Sequence, residues 1–261
     1  MLGKLFKYDF KWINKIMYVY YIILVMISIT IKIIESMNQS LILVIVDKIL
    51  SAIFIGCAIS TLITCVMRTW HRIINNIYKD ESYLTHTLPV TKNQIFNSKI
   101  LAGITSLLIS TLVITICVAF VFINKNNIDS IKNMYKSLVD KYNGLFALGA
   151  IVGLVLLIAF EIIFFMMAGV FGIVVGHSFN NTKLLKSIIF GIVSYFLLSN
   201  ISLVIVVIVS KFTNYDIAGS SLPPMNYIGI MGITSLIIYL VYNTLYYLIS
   251  KKILNKGVNI E

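Results

Sequence analysis

The chain has 261 residues, of which 59% are hydrophobic and only 12% are charged. One soluble core of this length cannot bury that much apolar surface, and the apolar residues come in long blocks, so lipid must be the solvent for much of the chain. The net charge of +11 is carried almost wholly by lysines between the blocks, with arginine only at Arg68 and Arg72. Charge so placed orients helices and meets anionic headgroups, and no nucleic-acid partner is expected.

Residues 1–15 come first. Lys4, Lys7, Lys11 and Lys15 follow one helical face, while Leu2, Leu5, Phe6, Phe10, Trp12 and Ile13 take the opposite side. This pattern predicts an amphipathic elbow helix lying on the membrane surface before the first span. Asp9 interrupts the apolar face, which pairing with a neighbouring segment would explain. The first block is not expected to be a cleaved signal peptide, because its basic N-region is long, Lys32 sits near its far end and no small-x-small site follows.

Six blocks reach the roughly 20 apolar residues that a span needs, at 16–34, 49–67, 100–123, 144–176, 187–210 and 228–249. The expected fold is therefore an all-α integral membrane protein. Its elbow helix precedes a six-helix transmembrane domain over 16–249 and a tail over 250–261. The fourth block is too long for one straight crossing and too short for two, so it should tilt, break or extend past the headgroups. Pro89, Pro223 and Pro224 all lie between blocks. With the N-terminus inside, cytoplasmic segments hold fourteen Lys and Arg residues against seven outside, which places both termini in the cytoplasm.

Three connecting segments have texture. Over 68–99 the second span should continue helically through Ile73, Ile74 and Ile77, and the chain should turn at Leu88 and Pro89. Thr91 followed by Gln94 reads as a capping box that opens the next helix. In the outer segment 124–143, Ile128, Ile131, Tyr135, Leu138 and Tyr142 step by three or four, as on a short amphipathic surface helix. The outer segment 212–227, with Gly219, Ser220, Ser221 and the proline pair, suits a turn.

Glu161 is the only acidic residue deep in a span. A carboxylate there must face protein or water, or be protonated. At 100° per residue, Ala168 and Gly172 fall about 20° to either side of it, and Ala168, Gly172 and Gly176 form a small-xxx-small run, so Glu161 should point into a helix interface. Two roles fit it: a contact for substrate, ion or gate, or a protonated or paired carboxyl bridging two helices. Asn200 and Asn243 read as interhelical glue. Cys57, Cys65 and Cys117 read as small hydrophobes, and His71, His86 and His177 have no metal-ligand spacing. The chain has no HExxH, no paired intramembrane glutamates and no Ser/His/Asp arrangement in its spans, so no catalytic residue and no metal site are expected. The Gly-rich run 172–178 lacks the spacing and the Lys of a phosphate loop. Active pumping would therefore draw its energy from another subunit.

The run Asp80-Glu81-Ser82-Tyr83-Leu84-Thr85-His86-Thr87-Leu88-Pro89-Val90-Thr91, continuing through Gln94 and Ile95 to Leu101, resembles bacterial ABC-transporter permeases of the type-2 exporter family. The elbow helix, six spans and internal termini resemble that family's layout as well. The resemblance implies a permease of the bacterial cell membrane that dimerises with the same or a related chain. Separate cytoplasmic ATP-binding cassette subunits, holding ATP and Mg, would drive it. It also implies a coupling contact for that ATPase at Asp80, Glu81, Tyr83, Leu84, His86, Thr87, Pro89 and Thr91. A second contact, over 177–186, would use His177, Asn180 and Lys183. Tyr83 and Leu84 would equally suit a membrane-interface anchor. The outer segment between the last two spans dips back into the membrane in some family members, and 212–227 is the corresponding stretch here. The expected substrate is amphipathic or hydrophobic, such as a peptide, lipid-like compound or drug, because the spans carry almost no charge. A secondary carrier using Glu161 for ion coupling, or a non-transporting assembly or sensor protein, are the alternatives.

Overall fold

The computed structural model describes residues 2–37, 40–79, 81–87, 89–122, 144–212 and 225–257, with isolated positions 132, 133, 136 and 139. Among them are seven helices and no strand: α1 (Leu2–Ser36), α2 (Leu41–Ile77), α3 (Ser82–Thr87), α4 (Lys92–Phe122), α5 (Gly144–Gly176), α6 (Lys183–Phe212) and α7 (Met225–Lys256). All except α3 are long and apolar enough to cross a membrane, so this is a multi-pass helical membrane protein with six candidate spans. The expected outer helix over 124–143 and the turn at 213–224 lie outside the described residues, as do Asp80, Leu88 and the side chain of His86.

The N-terminal elbow is not set apart. α1 runs unbroken for 35 residues through Lys15 and Ile16. No Gly or Pro occurs between Gly3 and Gly56, so nothing in the backbone ends the helix where the apolar block begins. Its buried residues are Asp9, Ile13, Asn14, Met17, Tyr21, Leu24, Ser28 and Ile31, one stripe at steps of three and four running through both halves. The packed face is thus not the 2–13 apolar face but a narrower seam containing Asp9. The fourth block forms one unbroken helix of 33 residues, about 50 Å long against a hydrocarbon layer of about 30 Å. It tilts or overshoots and does not break.

The chain divides into two compact units, Met1–Asn76 with Tyr83–Lys132, and Ile77–Ser82 with Asn133–Glu261. In the first unit α1 packs along α4, whose buried face carries the small residues Ser98, Ala102, Gly103, Ser106 and Ser110. Small side chains let the backbones approach, and polar ones bridge them. The Asn14 amide donates to Ser106 Oγ at 2.7 Å, and the Tyr21 and Ser110 hydroxyls meet at 2.7 Å. Leu24, Ile31, Phe54, Ala58 and Cys117 close the apolar core among α1, α2 and α4.

In the second unit α5 packs on α6 and α7. A Cβ on Gly172 would strike the Ser187 carbonyl and the Gly191 backbone, and one on Gly176 would strike Ser187. Gly172 is therefore a helix-contact residue: only hydrogen at this position lets α5 and α6 touch backbone to backbone.

Candidate functional site

Three groups of residues bear on function. The first is the segment joining α2 to α4. α2 ends at Ile77, as its apolar periodicity predicts, and α4 starts at Lys92 behind a reciprocal cap. The Gln94 backbone N–H donates to Thr91 Oγ1 and the Thr91 N–H donates to Gln94 Oε1, both at 3.3 Å. Between the two helices stands α3, which presents Tyr83 (75% exposed) and Leu84 (68% exposed) outward. Glu81, Thr87, Pro89 and Thr91 are exposed as well, whereas Ser82 is buried. Two large apolar side chains facing outward on a six-residue helix bury nothing in this chain, so they are available to a partner or a membrane surface.

Both stems of this segment are tied to α1 through one carboxylate. Arg72 at the end of α2 donates from Nε to Asp9 Oδ1 at 2.9 Å. At the start of α4, Ser98 donates to Asp9 Oδ2 at 2.7 Å, and Lys99 Nζ lies 3.4 Å from both oxygens. The Asp9 and Lys99 side chains are each 3% exposed. Asp9 was legible as an exception on its helix. Its partners were not, because they lie 63 and 90 residues away.

The second group is the α5–α6 turn. His177 does not face outward as a docking contact would. It is 1% exposed, and its ring stacks on Tyr78 at 4.3 Å between centroids. Its Nδ1 lies 2.8 Å from the Ile173 carbonyl, which can only accept, so that nitrogen carries the proton. Burial pushes the Tyr78 phenol well above its ordinary range. Beyond His177, Asn180 is exposed and Lys183 half-buried, and Thr182 adopts a left-handed φ of 52°. The outward part of this turn is therefore 178–182.

The third group surrounds Glu161. The Tyr195 hydroxyl on α6 donates to its Oε1 at 2.7 Å, and Tyr239 on α7 is hydrogen-bonded to the same carboxylate. Glu161 thus sits in the interface predicted for it. One turn on, Phe164 is 1% exposed and touches the rings of Tyr195, Tyr239, Tyr242 and Tyr246 at 5.2–5.9 Å. Neither asparagine acts as interhelical glue. Asn200 donates to the Phe196 carbonyl of its own helix at 2.7 Å, and both side-chain polar atoms of Asn243 are buried without a hydrogen-bond partner among the described residues. The free cysteines behave as small hydrophobes, and among the described residues no cluster of metal-ligating side chains occurs.

No family model, curated protein or solved structure matches this chain. The resemblance over 80–101 therefore rests on the residues of its motif alone.

Proposed function

We propose that this chain is the membrane-spanning permease subunit of an ATP-driven exporter of the type-2 ABC family, working in a bacterial cell membrane with both termini cytoplasmic. The observation that carries the reading is α3, a short helix in the loop of the resemblance, with Tyr83 and Leu84 turned outward and both stems of its segment fastened to α1 at Asp9. A push on such a helix is passed to three spans at once, because buried ion-paired stems transmit displacement rather than absorb it. The ATPase, carrying ATP and Mg, docks on residues 81–91, and 178–182 provides a second contact. A second permease completes the path for an amphipathic or hydrophobic substrate. The chain itself is not the enzyme.

The test is co-purification of the chain with a cassette ATPase and measurement of ATP-driven substrate flux in proteoliposomes. Tyr83→Ala with Leu84→Ala should lower both by at least about tenfold, without a shift in melting temperature, because the two side chains bury nothing at home. Flux by the chain alone would sink the reading.

One observation favours a second reading, a secondary carrier. Glu161 holds two phenol hydrogen bonds, while α5 and the blocks 187–210 and 228–249 contain no lysine or arginine to balance it. In that case Glu161→Gln abolishes pH-driven uptake in the absence of any ATPase.

A further inference from the structure

Arg68 and Arg72, the chain's only arginines, lie one helical turn apart on the same face of α2, and they are unequally matched. Arg72 and Lys99 share the single carboxylate of Asp9. Arg68 has no carboxylate within ion-pair distance among the described residues. Its guanidinium sits 3.6 Å from the centroid of the Trp12 ring, and its Nη2 donates to the Trp12 carbonyl at 3.2 Å. Its Nε is buried with no hydrogen-bond partner among the described residues. The Arg72 guanidinium lies 5.0 Å from the same ring. Among the described residues, three cationic side chains thus gather around one carboxylate and one indole.

The position of this cluster says what balances it. α1 begins here, α2 ends here and α4 begins here, so the cluster stands where candidate spans leave the hydrocarbon. Trp12 is the residue type that favours this level. On α1 and α2, two of the three helices that carry the cluster, Lys11, Lys15 and His71 are exposed beside it. Toward the spans the exposed residues of these helices turn apolar: Ile16 (38% exposed) lies one turn below Trp12 on α1, and Ile63 (53%) and Met67 (55%) lie round α2 from Arg68. A surface that is cationic at its rim and aliphatic below fits a molecule with a phosphate head and acyl chains. Soluble phosphate would gain nothing from the aliphatic part. Asp9, which faces the cluster, is masked by Arg72, Ser98 and Lys99.

We propose that Arg68, with Trp12 as its platform and Arg72 and Lys15 adding to the field, binds the phosphate of an anionic glycerophospholipid headgroup. The guanidinium fork matches two phosphate oxygens, and a lipid phosphate supplies the counter-charge that Arg68 lacks among the described residues. This inference requires only the membrane placement, not the exporter reading.

The experiment is native mass spectrometry of the full chain in neutral detergent, titrated with phosphatidylglycerol and with phosphatidylcholine. The expected result is one retained phosphatidylglycerol at about tenfold lower concentration than phosphatidylcholine. Arg68→Gln should remove that preference. Lys48→Gln, which deletes the same charge at the far end of α2, should keep it. Equal loss in both variants, or no headgroup preference in the unaltered chain, overturns the proposal. Displacement of the lipid by inorganic phosphate at comparable concentration overturns it too, since the ligand would then be soluble. Should Arg68→Gln fail to fold, Arg68→Lys decides: it keeps the charge and loses the fork, so the preference should fall severalfold, and an unchanged preference refutes the assignment.

Discussion

Asp9 is surrounded by Arg72, Lys99 and the Ser98 hydroxyl, so its charge is compensated although its side chain is 3% exposed. The same arrangement makes it hard to remove. Asp9→Asn takes from the buried Lys99 the carboxylate it lies against, and breaking a buried pair from one side costs about 3–5 kcal/mol. We expect a loss of that size in detergent-based unfolding, and partial recovery in the double variant Asp9→Asn with Lys99→Met, where the buried Lys99 charge is gone and only the more exposed Arg72 has lost Asp9. A loss of under about 1 kcal/mol would mean that water reaches the cluster. Gly172 gives a second residue-level expectation. Gly172→Ala should cost about 1–3 kcal/mol, because α5 and α6 must part to admit the methyl group, whereas Gly153→Ala, whose added Cβ meets nothing within 4 Å, should be neutral or slightly stabilising. The small-residue run had flagged Gly172, and lone charge had flagged Asp9 and Glu161. The Asn14–Ser106 and Tyr21–Ser110 bridges carried no such flag, because uncharged polar residues in an apolar block look like tolerated noise until the partner helix is known.

At the level of elements, hydropathy located all six long helices but not their ends. A helix continues until a residue or a cap stops it, and the edge of an apolar block is neither. α1 illustrates the point: its basic half and its apolar half read as two objects, yet one buried seam from Asp9 to Ile31 runs through both. Where a stop or start signal does exist, the sequence placed the boundary well, as at the Thr91–Gln94 box that opens α4. That box yields a direct test. Thr91→Ala removes the hydroxyl that accepts the Gln94 N–H and should weaken the first turn of α4 by about 1 kcal/mol. Amide exchange over residues 92–95 should quicken severalfold while the middle of α4 is unaffected. Uniform protection would show that the ion pairs at Lys99 hold this end without the cap.

At the scale of the molecule, the chain changes unit within a few residues of the candidate docking helix. Ile77–Ser82 groups with the second unit, and Tyr83 onward with the first. Tyr78 is what fastens that short stretch: it is 3% exposed, and its ring lies on His177. His177 belongs to the second segment that the family resemblance marks as an ATPase contact, and Tyr78 lies just before the first, so the stack holds the stretch that leads into α3. No sequence pattern announces such a pairing, since it depends on two turns that lie far apart in the chain. Replacing a buried aromatic with Ala typically costs about 3–5 kcal/mol, and aromatic stacking adds about 0.5–1.5 kcal/mol of specific geometry. Tyr78→Ala should therefore raise amide exchange in 177–183 by more than tenfold. Tyr78→Phe, which keeps the ring, should leave it near the unaltered rate. If the two contacts work as one surface, Tyr78→Ala should also cut ATP-driven flux as deeply as Tyr83→Ala with Leu84→Ala, although Tyr78 offers no surface of its own. Loosened exchange with undiminished flux would mean that the two segments act independently, and the load would then pass through Asp9 alone.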